Sequence, residues 1–162
     1  MTAFDPLGAL RVLADHGVRF VMIGGVAGAT HGSPSVTQDL DICYERSPEN
    51  LERLATALGS IHARLRGVDE DVPFSLDPTT LAAGDHFTFV TDVGDLDCLG
   101  IPAGTLGYDD LTKDAVAVDL DGLVVSVASL DALIRMKRAA GRPRDLAELE
   151  ILGALREEVQ GE

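Results

Sequence analysis

The sequence has no tryptophan, and aromatic residues make up only 4% of it. Hydrophobic residues nevertheless reach 46%, so the core must come mainly from Ala, Val and Leu. Hydrophobic runs are short, and none approaches the roughly 18 residues of a membrane-spanning helix. The segment 1–10 carries Asp5 and lacks the basic and then apolar pattern of a secretory signal. These absences predict a cytoplasmic protein without a membrane span.

Cysteine is also scarce, since the chain has only Cys43 and Cys98. Without a secretory signal, a disulfide between them is not expected. The spacing of His16, His62 and His86 with one another and with the cysteines does not match a zinc site. Both thiols are therefore predicted to be small buried side chains.

Basic residues are few, because 13 Lys and Arg stand against 27 Asp and Glu, for a net charge of −14. This balance argues against a general nucleic-acid-binding surface, which needs cations to neutralise phosphates. Five basic residues nevertheless fall within the segment 135–144: Arg135, Lys137, Arg138, Arg142 and Arg144. The segment therefore predicts a local basic patch that can hold phosphate groups.

The length of 162 residues suits one domain over 1–162. Periodicity and turn residues predict helices at 5–16, 26–31, 48–58, 130–140 and 144–158. The same signals predict strands at 18–23, 39–44, 86–91, 95–99, 115–120 and 123–127. The segment 60–84, with Pro73 and Pro78, gives no clear pattern. Strands and helices intermix, so the expected fold is a mixed-sheet α/β or α+β domain with a helical part at about 129–158.

Two carboxylates at i and i+2, Asp39 and Asp41, lie on one face of the predicted strand 39–44, about 7 Å apart at the backbone. Their side chains can converge on divalent cations, because otherwise they repel each other. The D-x-D pattern alone more often marks an exposed strand with two solvated acids. Gly24 and Gly25 stand before it, where they turn an apolar run into a short helix whose N-terminus favours anions. Simple helix–sheet packing explains the glycines equally well.

Asp97 is predicted to lie in the middle of a later strand, between Leu96 and Cys98. An acid in that position needs a partner or a metal, since an unpaired buried charge is costly. Asp95 and Asp92 are interpreted instead as solvated residues of the hairpin turn.

Lys137 falls on the apolar stripe of its predicted helix, where it either reaches out to solvent or meets an anion. Asp145 begins the last helix, where its charge suits the helix dipole. It is also in a position to orient Lys137 or Arg142. His31, at the end of the short helix, is interpreted as a structural residue that anchors a loop.

In combination, these parts resemble the nucleotidyltransferase superfamily related to DNA polymerase β. The shared pattern is a glycine pair, a short helix, D-x-D and a third acid on a later strand. More narrowly, the chain resembles the AbiEii-like and related small bacterial nucleotidyltransferases. The stretches that match are IGGVAGATHGSPSVTQDLDI, FTFVTDVGDLDCLG and LIRMKRAAGRPRDLAELEIL. They follow one another in the expected order between residues 23 and 152, a range that spans most of the chain.

The resemblance implies a nucleotidyltransferase-like mixed sheet flanked by helices, and a nucleoside triphosphate as substrate. It implies transfer of a nucleoside monophosphate to an acceptor hydroxyl with two Mg²⁺ ions. The implied catalytic and metal-binding residues are Asp39, Asp41 and Asp97. The implied nucleotide-binding residues are Gly24, Gly25 and Lys137. Relatives often carry Arg at the position of Ser35, so this chain departs from their pattern there.

The resemblance also implies a toxin–antitoxin or phage-defence setting, with a cognate antitoxin as partner. The acceptor stays open among tRNA, a protein and a small molecule, although the acidic composition disfavours a large RNA footprint. One rival hypothesis is a catalytically silent domain of the same fold that binds nucleotide or a protein. Another is a purely structural role within a toxin–antitoxin complex.

Overall fold

Seven helices and seven strands form within the residues that the computed structural model describes, 3–69, 71 and 73–160. The helices are α1 (Pro6–Asp15), α2 (Gly24–Thr30), α3 (Pro48–Ser60), α4 (Pro78–Ala83), α5 (Tyr108–Thr112), α6 (Leu130–Ala140) and α7 (Pro143–Gln160). The strands are β1 (Phe20–Ile23), β2 (Asp39–Tyr44), β3 (Arg64–Leu65), β4 (His86–Thr91), β5 (Gly94–Leu99), β6 (Val116–Leu120) and β7 (Leu123–Val127).

The strands form one mixed sheet in the order β3-β4-β5-β2-β1-β7-β6. Two neighbouring pairs are parallel, β2 with β5 and β1 with β7, and the other pairs are antiparallel. Parallel neighbours require crossover connections, so residues far apart in sequence meet in the middle of the sheet. In the β2–β5 register Asp39 lies opposite Asp95, and Asp41 lies opposite Asp97.

Short polar residues fix where several helices begin. The side chains of Asp5, Ser47, Asp77 and Ser129 each accept a hydrogen bond from an amide in the first turn of α1, α3, α4 and α6. Such a cap contributes about 1 kcal/mol to the stability of a helix. Helix α6 ends at Gly141, whose φ of 62° is the left-handed conformation that glycine adopts without strain. The chain therefore turns sharply between α6 and α7.

The core consists mainly of Leu, Ala, Val and Ile side chains, and the composition predicts the first three. Leu40, Ile42 and Tyr44 of β2 are fully buried, so this face of the strand packs into the core. Cys43 and Cys98 are free and buried, also as predicted. No helix within the described residues is both long and apolar enough to cross a bilayer.

Most predicted elements lie close to their observed positions, but short elements differ. Helix α2 begins at Gly24 rather than at residue 26, because the glycine pair is part of the helix itself. Strand β3 and helix α4 form inside the segment 60–84, for which the pattern predicts nothing. Helix α5 is also absent from the pattern. These elements are two to six residues long, too short to show a hydrophobic period.

Candidate active site

Three carboxylates meet where β2 and β5 run side by side. Asp39 and Asp41 project from β2, and Asp97 projects from β5 opposite Asp41. One oxygen from each carboxylate lies within 4.8 Å of the others, and all three residues are half-buried. The structure thus brings together the three acids that the sequence singles out.

Burial and mutual repulsion make Asp41 and Asp97 hard to ionise together. Burial, followed by the neighbouring charges of Asp97 and Asp39, raises the pKa of Asp41 to about 7. Burial also raises the pKa of Asp97, although the nearby Arg66 guanidinium acts in the opposite direction. A raised carboxyl pKa means that the charged form lacks compensation. The cluster therefore favours binding of a further cation.

Arg66 supplies one positive charge at this cluster. Its Nη2 donates a hydrogen bond to Oδ1 of Asp97. Its Nη1 lies 3.5 Å from Oδ2 of Asp95 and 3.9 Å from Oδ2 of Asp39. The Arg66 side chain is 29% exposed, so it is partly withdrawn from solvent among the acids.

The interpretation of Asp95 as a solvated turn residue is wrong. Strand β5 begins at Gly94, so Asp95 belongs to the strand and pairs in register with Asp39. Alternation then places Asp95 on the same face as Asp97, within reach of Arg66. Asp92, in contrast, is exposed, and its Oδ2 lies 2.5 Å from Nδ1 of His62.

Sequence reasoning also misses Arg66, which follows the two-residue strand β3 in the segment 60–84. The available signal was the alternation of Arg64, Leu65 and Arg66, which is typical of a short strand. The backbone amide of Arg66 donates to the carbonyl of Thr88 at 2.9 Å. Thr88 pairs with Asp97 in the β4–β5 register, so this bond directs Arg66 toward the acids.

The glycine pair touches the acid cluster through Gly24. Its φ of +72° is the left-handed conformation, and a Cβ there would collide with the carboxylate of Asp41. A Cβ on Gly25 would approach Cβ of Thr37 to 2.8 Å. Helix α2 begins without a hydrogen bond from a capping side chain.

Lys137 contacts an anion rather than reaching out to solvent, and these are the two alternatives that the sequence leaves open. Its Nζ lies 3.3 Å from Oδ1 of Asp145, and Nε of Arg142 lies 2.9 Å from Oδ2 of the same carboxylate. The Asp145 side chain is 1% exposed. The hydrogen bond from Arg142 and then Lys137 lower its pKa to about 2. Asp145 thus orients both cations, as one of its two interpretations predicts.

The segment between α2 and β2 is tied to α7 by Glu148. Its carboxylate accepts hydrogen bonds from Ser33 Oγ at 3.0 Å and from Ser35 Oγ. His31 Nε2 lies 2.8 Å from the carbonyl oxygen of Ala128. His31 therefore anchors the chain, as predicted, and Ser35 replaces the expected arginine with a hydroxyl that binds Glu148.

Two cavities meet at these groups. One has a volume of about 510 Å³ and contains the acids together with cations of the C-terminal helices; its lining includes Gly25, Asp39, Asp41, Asp97, Lys137, Arg142 and Arg144. The second, of about 420 Å³, is lined largely by apolar residues, among them Leu99, Ile101, Pro102, Leu133 and Met136. Asp41, Lys137 and Arg142 line both cavities.

Comparison with known proteins finds similarity at the level of structure. No protein-family model matches the chain, and no curated protein sequence matches it either. Among the matching solved structures is a Thermotoga maritima protein proposed to be a nucleotidyltransferase, with a TM-score of 0.54 and 18% identity over 99% of this chain and 98% of that chain. The chain has the nucleotidyltransferase fold. The antibiotic-resistance factor ANT(2'')-Ia, a nucleotidyltransferase, also matches, with a TM-score of 0.54 and 15% identity over 96% of this chain and 90% of that chain.

These likenesses are likenesses of fold, and they confirm the fold class predicted from the sequence. Within this nucleotidyltransferase fold, the acids suit a hard divalent cation. Carboxylate oxygens are the donors that Mg²⁺ prefers, and those of Asp39, Asp41 and Asp97 lie close enough to share one ion. The raised pKa of Asp41 adds an independent sign that the cluster lacks positive charge.

Proposed function

We propose that this protein is a Mg²⁺-dependent nucleotidyltransferase. It transfers a nucleoside monophosphate from a nucleoside triphosphate to an acceptor hydroxyl. The observation that carries the proposal is the convergence of Asp39, Asp41 and Asp97 beside the cations Lys137 and Arg142 in one cavity. Carboxylates suit metal ions and cations suit phosphates, so a metal–triphosphate substrate complements both halves of this cavity.

Asp39, Asp41 and Asp97 would hold two Mg²⁺ ions in this proposal. Metal ions so placed stabilise negative charge on the attacking and leaving oxygens of a phosphoryl group. The pKa of Asp41 is raised by burial and by Asp97, so a cation that neutralises the cluster would restore its ionised form. Asp97 would take the proton of the acceptor hydroxyl.

The triphosphate would lie between the glycine pair and the C-terminal helices. Gly24 and Gly25 have no side chain, and Asp41 and Thr37 pack directly against them, so the backbone that opens α2 lies close to the proposed metal ligands. Lys137 and Arg142 are held by the buried Asp145, so their cationic groups are oriented before substrate arrives. Attack by the acceptor oxygen forms a new bond to the α-phosphorus. The bond from that phosphorus to the β-phosphate oxygen breaks, and pyrophosphate leaves.

The apolar cavity supports a second substrate. It adjoins the polar cavity at Asp41, Lys137 and Arg142, so a group bound in one lies next to a group bound in the other. The net charge of −14 favours a protein or a cationic small molecule over a long RNA as acceptor. We keep a toxin–antitoxin or phage-defence setting, with a cognate antitoxin, as part of the proposal on the sequence resemblance.

Transfer of label from each α-labelled nucleoside triphosphate tests the proposal. The purified protein is incubated with Mg²⁺ and candidate acceptors, tRNA, proteins and aminated small molecules, and mass spectrometry identifies the product. The expected added mass is that of one nucleoside monophosphate, with one pyrophosphate released per transfer. Asp97→Asn should abolish transfer, whereas Asp92→Asn, an exposed acid of the same hairpin, should leave it intact. Intact Mg²⁺ binding without transfer to any acceptor would favour the catalytically silent alternative.

A further inference from the structure

Arg66 occupies a position at the acid cluster that resembles that of a bound cation. The guanidinium binds Asp97 directly and lies within 4 Å of Asp95 and Asp39. Asp97 and Asp39 are also two of the three acids whose oxygens converge. One positive charge therefore sits on carboxylates that the proposed function assigns to Mg²⁺.

A guanidinium and a divalent cation on the same carboxylates repel each other. The repulsion between charges a few ångströms apart is strong where water is partly excluded, and Asp97 is only 17% exposed. The Asp97 carboxylate that accepts from Nη2 is one of the three that a metal ion would share. Metal binding and the observed position of Arg66 are therefore opposed.

The position of Arg66 also has an internal cost. Its Nε is buried and has no hydrogen-bond partner among the residues that the structure describes, although a buried donor without an acceptor lowers stability. The guanidinium is thus held by the charge of the carboxylates despite an unsatisfied donor. When a metal ion neutralises those carboxylates, the attraction falls and the unsatisfied Nε favours release into water.

We propose that Arg66 is a built-in counter-ion that occupies the acid cluster in the metal-free protein and must withdraw when a divalent cation binds. The inference rests on the proposed function only for the identity of the metal ligands. It makes Arg66 an autoinhibitory contact, because metal affinity is lowered by the free energy needed to displace the guanidinium. The main chain stays anchored through the bond from the Arg66 amide to Thr88, so withdrawal involves the side chain.

Metal-binding titrations without nucleotide test this inference. Electron paramagnetic resonance measures the binding of Mn²⁺, and calorimetry measures the binding of Mg²⁺. Arg66→Gln removes the competing charge and should tighten metal binding by about tenfold. Arg66→Lys keeps the positive charge but loses the planar guanidinium, so its metal affinity should lie between those of the wild type and Arg66→Gln. Arg156→Gln loses the same charge at an exposed pair with Asp131 and should change affinity by less than about twofold.

A second measurement needs no variant that weakens the fold. In protein labelled with ¹⁵N-arginine, Arg66 Nε–H should exchange slowly with water in EDTA and rapidly with saturating Mg²⁺. Arg66→Lys assigns that signal by its loss.

Three outcomes would overturn the inference: an unchanged or weaker metal affinity in Arg66→Gln, equal tightening of metal binding in Arg156→Gln, or an Nε–H signal that Mg²⁺ does not alter. If nucleotide transfer is observed and Arg66→Gln binds metal no more tightly, this inference fails while the proposed function stands. If Arg66→Gln binds metal more tightly but no nucleotide transfer is observed, the inference stands while the proposed function fails.

Discussion

Asp41 on β2 lies directly opposite Asp97 on β5 in the parallel register of the two strands. Two strands that are far apart in sequence thus place two partly buried carboxyl groups next to each other. The pKa of Asp41 is raised to about 7 by this burial and by the charge of Asp97. The same pairing that brings the candidate metal ligands together therefore lowers the stability of the metal-free fold.

Stability of the metal-free protein should fall as pH rises. An ordinary Asp carboxyl has a pKa of 3.8, whereas burial holds Asp41 protonated in the fold to about pH 7. Between these values the folded state binds more protons than the unfolded state, so the free energy of unfolding decreases with pH. Asp41→Asn should remove most of that slope and be more stable than the wild type above pH 7, by about 1–4 kcal/mol. Urea unfolding in EDTA across this range measures the effect.

Asp15→Asn is the matched control, because Asp15 is exposed near the end of α1. It should keep the wild-type slope with pH. A slope that persists in Asp41→Asn would show that the raised pKa of Asp41 does not control the stability of the metal-free protein. Saturating Mg²⁺ should also reduce the difference between wild type and Asp41→Asn at high pH, since the ion compensates the ionised carboxylates.

Gly24→Ala should disrupt both the backbone and the metal site. A side chain there adopts an unfavourable φ of +72° and collides with Asp41. We expect a loss of stability of about 2 kcal/mol and metal binding weaker by about tenfold or more. Chemical denaturation and Mn²⁺ titration measure the two effects.

Gly122→Ala separates backbone strain from collision. Gly122 has a φ of +88°, and a Cβ there would meet nothing within 4 Å. It should cost about 1 kcal/mol and leave metal affinity at the wild-type value. Equal metal affinities in the two glycine variants would contradict a close packing of Gly24 on Asp41.

Local patterns predict the individual acids well but not how they come together. Alternation places Asp39 and Asp41 on one face of β2, and a lone acid between Leu96 and Cys98 identifies Asp97. The β2–β5 pairing is parallel and joins segments separated by α3, β3, α4 and β4. A one-residue slip of this register would move Asp97 away from Asp41. No local signal fixes that register.

Arg66 shows why the rest of the site is not predictable from local patterns. It follows a strand of two residues, Arg64–Leu65, whose pairing with β4 is visible only in three dimensions. Its role depends on charges contributed by other strands, Asp39 from β2 and Asp97 from β5. Asp95 is misjudged for a related reason, since its environment depends on the strand register and on Arg66.

Asp145→Asn should loosen the junction of α6 and α7. The buried carboxylate holds Lys137 and Arg142, and their interactions lower its pKa to about 2. Removing its charge should cost about 2 kcal/mol near neutral pH. The difference in stability from wild type should shrink as pH falls below about 4 toward 2, because the interactions that lower the pKa stabilise only the ionised form.

Asp131→Asn is the control, because it breaks an exposed pair with Arg156. It should cost less than about 1 kcal/mol. Equal losses in the two variants would contradict this role for Asp145.

Ser35→Arg should strengthen nucleotide binding. Ser35 donates to Glu148 and lines the polar cavity together with Lys137 and Arg144. An arginine at this position can pair with Glu148 and adds a cation where the triphosphate is proposed to lie. We expect affinity for a nucleotide analogue with a non-cleavable α–β bond to rise about threefold to tenfold in low salt and to fall as salt increases. Calorimetry in the presence of Mg²⁺ measures this change in nucleotide affinity.

Ser35→Ala is the control, because it removes the hydroxyl without adding charge. It should not improve nucleotide binding at any salt concentration. Weaker nucleotide binding by Ser35→Arg would place the triphosphate away from Glu148.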